Sequence, residues 1–373
     1  MIINFDNAAT TYPKPKSVRQ AVIEAVEKYG GNAGRGGHQL AMRTSAAVYS
    51  ARETIAGFFG AEPENVVFAL NCTMALNMAI KGVMNEGGHL IISNMEHNSV
   101  SRPSASLALE NKIKLSIAEV NGSQTVENFR KLIQPDTKAI VCTCASNVTG
   151  ELLPIEEIAE LCRERNICFI ADASQVCGVI DVKLSDGINI LCTAGHKGLY
   201  GVTGTGLLIT DGKYKIHPII EGGTGSTSRE LEQPDFLPDS LESGTLNVIG
   251  AMSLKAGVEF VRRIGVGKIF AHENRLCEIF IRELKKDKRI TVYRRADSRY
   301  APIVAFNIED VPSEKAAQKL AESGFCLRAG YHCAVLAHNA LNTENGTIRF
   351  SPSVFNSESE VLRLALNVKM MKI

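Results

Sequence analysis

From about residue 15 to 255 the chain alternates short apolar runs with amphipathic stretches. The runs are NVVFAL (65–70), HLIISN (89–94), KAIVCTCA (138–145), CFIADA (168–173), ILCTAG (190–195) and TGLLIT (205–210). Apolar runs of this length read as strands buried on both faces. Between them lie segments such as Ile155 to Cys162, whose apolar residues recur at i, i+3, i+6 and i+7 and mark one helix face, with Pro154 suited to its first turn. This alternation predicts a largely parallel sheet covered by helices, with ligands at the C-terminal strand ends. After residue 255 the pattern changes. A long helical stretch over Ser253 to Lys286 precedes ITVYRR (290–295) and PIVAFNIE (302–309), which read as strands. A helix over Ser313 to Ser323, the strands FCLRAG (325–330) and TIRFS (347–351), and a final helix near Glu358 to Met371 follow. The expected division is a large domain over 15–255, with 1–14 and 256–373 forming a smaller α+β domain.

At 373 residues the chain is long enough for this pair of domains. Its 45 % hydrophobic and 22 % charged residues are ordinary for a soluble globular protein, and a net charge of +1 gives no footing for nucleic acid or an anionic membrane. The N-terminus, MIINFDNAATTYPKPK, has no basic region followed by an apolar one, and no apolar run approaches the ~18 residues that span a bilayer. A cytoplasmic protein is expected. The ten cysteines show no zinc-spaced pair of CxxC motifs, so no metal is expected. Cys142 and Cys144 share one face of an apolar strand and read as core packing. Scattered thiols fit a reducing compartment.

The chemically suggestive residues fall at strand ends. CFIADA brings Asp172 to the end of one strand, and about 25 residues later ILCTAG delivers Lys197 in the glycine-rich turn AGHKG. A lysine so placed can hold pyridoxal phosphate as a Schiff base while an aspartate pairs with the protonated pyridine nitrogen; taken singly, they are equally a surface lysine and a capping aspartate. Cys72 and Thr73 open a helical stretch after NVVFAL, where free N–H groups and a hydroxyl suit a phosphate, unless Thr73 is only an N-cap. His97 follows a strand and offers a flat ring for stacking, or is an ordinary loop histidine. Asn147 and Gln175 are amides at two further strand ends. Cys333, in RAGYHCA, has Arg328 and His332 nearby, and basic neighbours favour the reactive thiolate. Arg349 can grip a carboxylate through two parallel hydrogen bonds, or can form a surface ion pair.

Ten segments occur in order: DNAATT (6–11), CTMALN (72–77), EHNS (96–99), SNVTG (146–150), ADASQ (171–175), AGHKGLYG (194–201), GGTGS (222–226), ESGTLN (242–247), RAGYHCA (328–334) and RFSPSVFNSESEV (349–361). Together they resemble the class V aminotransferase superfamily, and within it the SufS/CsdB-like cysteine desulfurases and selenocysteine lyases. The resemblance implies a PLP-dependent transferase of fold type I, with a mostly parallel seven-stranded sheet in the large domain and the cysteine loop carried by the small one. It implies that Lys197 bears the cofactor, Asp172 meets the pyridinium, Gln175 the ring oxygen and His97 the ring face. Cys72 lies beside the cofactor, and Thr73 and His196 bind the phosphate. Thr245 reaches the phosphate of a partner subunit in a homodimer. Asn147 and Arg349, with Arg328 nearby, hold the substrate carboxylate, and Cys333 accepts sulfur from L-cysteine, or selenium from L-selenocysteine. The short spacing from Cys333 to Arg349 favours the compact cysteine loop of the SufS-like branch. A sulfur-acceptor protein is a further expected partner.

The chain departs from the family pattern at four places. Ala194 stands where many relatives carry a phosphate-holding serine, and Val202, Leu246 and Val335 stand where proline is usual. Each lost loop proline costs about 0.5–1 kcal/mol through unfolded-state entropy. Competing readings are an aminotransferase, epimerase or other lyase, which needs no nucleophilic cysteine, and a non-catalytic scaffold or sulfur-carrier partner, which needs none of these residues.

Overall fold

A computed structural model describes residues 2–34 and 36–371. The first half runs β1 (Ile3–Asn4), α1 (Lys16–Lys28), α2 (Gln39–Phe59), β2 (Val66–Ala69), α3 (Cys72–Val83), β3 (His89–Ser93), α4 (Asn98–Leu109), β4 (Lys114–Ala118), α5 (Thr125–Leu132), β5 (Thr137–Thr143), α6 (Ile155–Arg165), β6 (Cys168–Asp172), β7 (Ile190–Ala194) and β8 (Gly206–Thr210). The second half runs α7 (Val248–Ile264), α8 (Val266–Leu284), β9 (Ile290–Val292), β10 (Val304–Ile308), α9 (Ser313–Glu322), β11 (Phe325–Cys326), β12 (Arg328–Gly330), α10 (Val335–Leu341), β13 (Thr347–Phe350) and α11 (Glu358–Lys369).

The expected seven-stranded sheet is present, in the order β2-β8-β7-β6-β5-β3-β4. Only β8 runs against its neighbours, pairing antiparallel with β2 and β7. Because β2 and β7 both oppose β8, they run the same way, so β2, β3, β5, β6 and β7 all end on one edge of the sheet. Successive residues of these strands pack into different cores: Ile140, Cys142, Phe169, Ala171 and Leu191 into one, and Ala139, Val141, Cys168, Ile170 and Ile190 into the other. Covering a sheet on both faces requires apolar residues at every position, which is why the strands read as unbroken apolar runs. Cys142 and Cys144 lie together in the first core.

The strand expected over FCLRAG is two short strands, β11 and β12, in different sheets, the helix α10 was not expected, and two larger features also differ from the sequence reading. The strand β4 escaped notice because it is an edge strand, with Lys114 and Ile117 exposed, and so carries no apolar run. The helix expected over Ser253 to Lys286 is two helices, α7 and α8, broken at Gly265, whose φ of 94° only glycine adopts readily. Two smaller sheets complete the fold, an antiparallel one of order β12-β13-β10-β9 and the parallel pair β1-β11, packed around Phe5, Phe280, Phe306, Phe325 and Phe350. Among the described residues no helix is long and apolar enough to cross a membrane.

Candidate active site

The common edge of β2, β3, β5, β6 and β7 opens on a cavity of about 190 Å³. Its lining includes Cys72, Thr73, His97, Asn147, Asp172, Gln175, His196, Lys197, Arg328 and Arg349, so ten of the twelve site residues expected from sequence converge there. Cys333 and Thr245 are not in the lining.

Asp172 ends β6 and is only 4 % exposed. Its Oδ1 accepts the Ser174 N–H at 3.0 Å and lies 3.7 Å from the Cys72 Sγ. Burial holds the Cys72 thiol far above its usual pKa, so this sulfur stays neutral beside the carboxylate. Lys197 follows β7 in a tight turn closed by the Tyr200 N–H on the Lys197 carbonyl and the Gly201 N–H on the Gly195 carbonyl, both at 2.8 Å. Gly198 makes that turn possible, since a Cβ there would stand 2.3 Å from the Cys177 carbonyl oxygen. Burial lowers the pKa of the Lys197 amine, and the charge of Asp172 opposes the shift.

At the start of α3 the N-cap is Asn71, not Thr73, and its side chain accepts the Met74 N–H. Thr73 is thereby left to meet the Ser99 hydroxyl at 2.7 Å, and the first-turn amides of Cys72 and Thr73 have no carbonyl within the helix. His97 caps α4: its Nδ1 accepts the Ser99 N–H at 3.0 Å, which places the ring proton on Nε2. Burial lowers the His97 pKa to about 4, so the ring is neutral at pH 7. His196 is likewise held at about 4 by burial and by the nearby charges of Lys197 and Lys14. Its carbonyl accepts from Lys14 Nζ at 2.8 Å and from the Thr11 hydroxyl at 3.2 Å. Gln175 Nε2 donates to the Ala8 carbonyl at 3.3 Å.

The opposite wall comes from the second half of the chain. Arg349, on β13, is 1 % exposed; its Nη2 pairs with Asp6 Oδ1 and its Nη1 donates to the Asn147 carbonyl, both at 2.8 Å. Burial lowers the Arg349 pKa and Asp6 offsets part of that shift. Asn147 Nδ2 donates to the His332 carbonyl at 2.7 Å. Arg349 is therefore neither a free clamp nor a surface pair: it is a buried group already held on two sides.

Cys333 sits outside the cavity, on the loop between β12 and α10. Of the ten cysteines eight are buried, Cys326 is half-buried and Cys333 alone is exposed. Arg328 Nη2 donates to its Sγ at 3.4 Å, and its carbonyl accepts the Asn98 N–H at 2.7 Å, which ties the loop to the residue after His97. His332 and Cys333 both adopt left-handed backbone, with φ of 48° and 57°. One expectation needs correction. His332 is no basic neighbour of this sulfur: it is buried, bonds the Thr347 carbonyl and hydroxyl through Nε2, and burial pushes its pKa far below the usual value. Arg328, on β12, supplies the positive charge in direct contact with Cys333. Thr245 is exposed and, among the described residues, makes no hydrogen bond that would draw it to the cavity.

Four residues that sequence reasoning gave no role build this site. Asp6 holds Arg349, Asn71 frees Thr73, Ser99 bridges Thr73 and His97, and Lys14 holds the turn before Lys197. Asp6 lay within a quoted segment, but its partner is 343 positions away in the chain.

The donor set fits a planar, phosphorylated pyridine. Among the described residues four buried polar atoms of cavity residues lack a partner: His196 Nδ1, Asn147 Oδ1, Arg349 Nε and His332 Nδ1. Unpaired buried polar atoms are costly, and an anionic ligand would engage the first and third. The buried Asp172 carboxylate on the floor matches a protonated ring nitrogen, and the first-turn amides of α3 match a phosphate. Ala194 lines the cavity with no hydroxyl, so a phosphate there would rely on Thr73, Ser99, His196 and the α3 backbone.

Known proteins resemble the chain over nearly its whole length. A probable cysteine desulfurase of Pyrococcus abyssi is 30 % identical over 373 aligned residues, covering 96 % of this chain and 92 % of that protein. A probable cysteine desulfurase of Methanothermobacter thermautotrophicus is 29 % identical over 368 residues, covering 95 % and 91 %. The apo structure of a cysteine desulfurase from Thermococcus onnurineus superposes with a TM-score of 0.90 at 28 % identity, covering 99 % of this chain and 94 % of that one. The profile of the aminotransferase class-V family matches residues 3–364. The chain belongs to the class-V aminotransferase family.

Proposed function

We propose that the protein is a pyridoxal phosphate-dependent cysteine desulfurase that converts L-cysteine to L-alanine and leaves the sulfur on Cys333. The single observation that carries this reading is the pairing of a cavity built around Lys197 and Asp172 with one exposed cysteine, Cys333, at its rim. The cysteine desulfurase names of full-length relatives support it.

Lys197 would carry the cofactor, and Asp172 would meet its ring nitrogen. Thr73, Ser99, His196 and the α3 amides would hold the phosphate; Gln175 would meet the ring oxygen and His97 would cover the ring. When bound, the pyridoxal ring draws electron density from the substrate Cα and so weakens the C–S bond. Arg349, aligned by Asp6, and Asn147 receive the substrate carboxylate. The Lys197 amine, its pKa lowered by burial, takes the proton from Cα. Cys333 Sγ, with Arg328 beside it, attacks the substrate sulfur. The new S–S bond forms as the substrate C–S bond breaks, the electron pair stays with Cβ, and two protons complete alanine, one taken up at Cβ and one returned to Cα by Lys197. The exposure of Cys333 lets a second protein collect the sulfur.

Thr245 completes the phosphate site of a second subunit, a reading supported by its exposure and its separation from its own cavity. Selenocysteine lyase is the neighbouring activity on the same groups. The test is to supply L-cysteine and a reductant to the cofactor-loaded protein and to measure alanine and sulfide together. Equal amounts of both, lost on Cys333→Ala with cofactor retained, are expected. Alanine from L-selenocysteine alone would make the protein a lyase, and alanine from neither would refute the assignment of substrate.

A further inference from the structure

His332 has no role in the chemistry above, yet it belongs to the cavity wall and is only 2 % exposed. Its ring is fixed at one nitrogen. Nε2 lies 3.0 Å from the Thr347 carbonyl and 3.1 Å from the Thr347 hydroxyl. A carbonyl can only accept, so the ring proton sits on Nε2 and Nδ1 keeps a lone pair. Among the described residues this Nδ1 has no hydrogen-bond partner. His338, whose ring centroid is 5.8 Å away, does not provide one: its own Nε2 is also unpaired, and its Nδ1 is engaged by the Thr343 hydroxyl at 2.7 Å. Burial first, and then the charge of Arg349, keeps the ring neutral. The residue therefore holds a buried, uncharged acceptor that the protein leaves unsatisfied, which is costly unless a ligand donates to it.

Placement decides which donor that is. The His332 carbonyl accepts from Asn147 Nδ2 at 2.7 Å, and the Asn147 carbonyl accepts from Arg349 Nη1 at 2.8 Å, so the histidine is tied to the residue proposed for the substrate carboxylate. In the other direction it is joined directly to Cys333. L-Cysteine carries three polar groups. Its carboxylate goes to Arg349, its amine to the cofactor at Lys197, and its sulfur must face Cys333. The donor left for a histidine linked to both Arg349 and Cys333 is the substrate thiol, which with an ordinary pKa of about 8.5 still carries its proton at pH 7.

We propose that His332 is a specificity-determining residue: its Nδ1 accepts a hydrogen bond from the side-chain S–H of L-cysteine and so holds the substrate sulfur toward Cys333. This rests on the substrate reading given above. The contact needs a proton on the substrate side chain. A selenol is more acidic and is ionised at neutral pH, so L-selenocysteine brings no donor to Nδ1 and gains nothing from this residue.

The first test uses cofactor-loaded Cys333→Ala protein, in which sulfur has no acceptor at this position, and reads binding through the cofactor absorption. His332→Gln keeps a donor for the Thr347 carbonyl and removes the Nδ1 acceptor, whereas His332→Asn keeps an acceptor at the position of Nδ1 and gives up Thr347. The preference for L-cysteine over L-alanine, the same molecule without the thiol, should fall about fivefold or more in His332→Gln, with the L-alanine Kd within about twofold. In His332→Asn the preference should survive within about twofold. The second test uses loaded protein with Cys333 in place: His332→Gln should raise KM for L-cysteine about fivefold and leave that for L-selenocysteine within about twofold. A preference unmoved by His332→Gln, or equal weakening of L-cysteine and L-alanine, would overturn the role of His332 and leave the substrate reading standing. No preference for L-cysteine with His332 in place would instead overturn the substrate reading, and this proposal with it.

Discussion

Arg349 and Asp6, 343 positions apart, form an ion pair of 2.8 Å in which the arginine is buried to 1 % and the aspartate side chain remains 26 % exposed. The first segment of the chain thereby supplies the counter-charge for the residue proposed to receive the substrate carboxylate. Removing one partner of a fully buried pair costs about 3–5 kcal/mol, and partial exposure of Asp6 reduces that to about 2–3 kcal/mol. Asp6→Ala should lower the melting temperature accordingly and raise KM for L-cysteine more than it lowers kcat. An unchanged KM would separate Asp6 from substrate binding.

Arg52 and Glu242 form a second buried pair, at 2.8 Å, with side chains 7 % and 5 % exposed. Glu242 also accepts the Phe68 N–H at 2.6 Å, so it pins the ESGTLN segment to β2. Glu242→Ala should destabilise the protein by about 3–5 kcal/mol, read by denaturant unfolding. It should also weaken self-association, because Thr245 lies on the same segment. A variant that self-associates as the wild type does would detach that segment from the proposed partner site.

Two of the missing prolines have different consequences. Val202 donates its N–H to Ser253 Oγ at 3.2 Å, a bond that proline cannot make. Val335 is the first residue of α10, a position where proline is favoured, and Ala334 before it lies outside the helical region at φ −142°, ψ 64°. Val335→Pro should therefore stabilise by about 0.5–1 kcal/mol, and Val202→Pro should not. Thermal unfolding of the two variants tests the contrast, and equal shifts would contradict it.

Buried acids and histidines pull the pH profile of stability in opposite directions. Burial raises Glu96 from 4.5 to about 8; it accepts the Thr143 N–H at 2.8 Å, and its other oxygen is unpaired. A group whose folded pKa is raised stabilises fully below its unfolded value and loses that contribution as pH climbs through the folded one, here from 4.5 to about 8. His97 and His196, lowered from 6.5 to about 4, lose theirs as pH falls across that window. Glu96→Gln should therefore gain stability relative to wild type as pH rises from 5 to 9. A difference independent of pH would show that Glu96 is ionised throughout.

Much of this was legible in one dimension, because the relevant signals are local. Buried strands must be apolar at every position, so the five parallel strands nearest the site announced themselves, whereas β4, half-exposed at the edge, did not. Asp172, Lys197 and Cys333 were readable because strand-end position and turn composition are sequence properties. The role of His332 was misread because its burial against Thr347 depends on β13 folding beside its loop. Asn71 replaced Thr73 as the cap because both residues can cap and only backbone geometry chooses between them. Asp6 was given no role since nothing in its neighbourhood points to Arg349, and the role proposed for Thr245 needs a second chain.

The most direct test of the account is the mass of the Cys333 peptide after the loaded protein is given L-cysteine without reductant and its thiols are alkylated. The account predicts one added sulfur atom on Cys333, none on the eight buried cysteines, and none anywhere in Lys197→Ala. Alanine released while Cys333 stays unmodified, or sulfur carried on another cysteine, would contradict it.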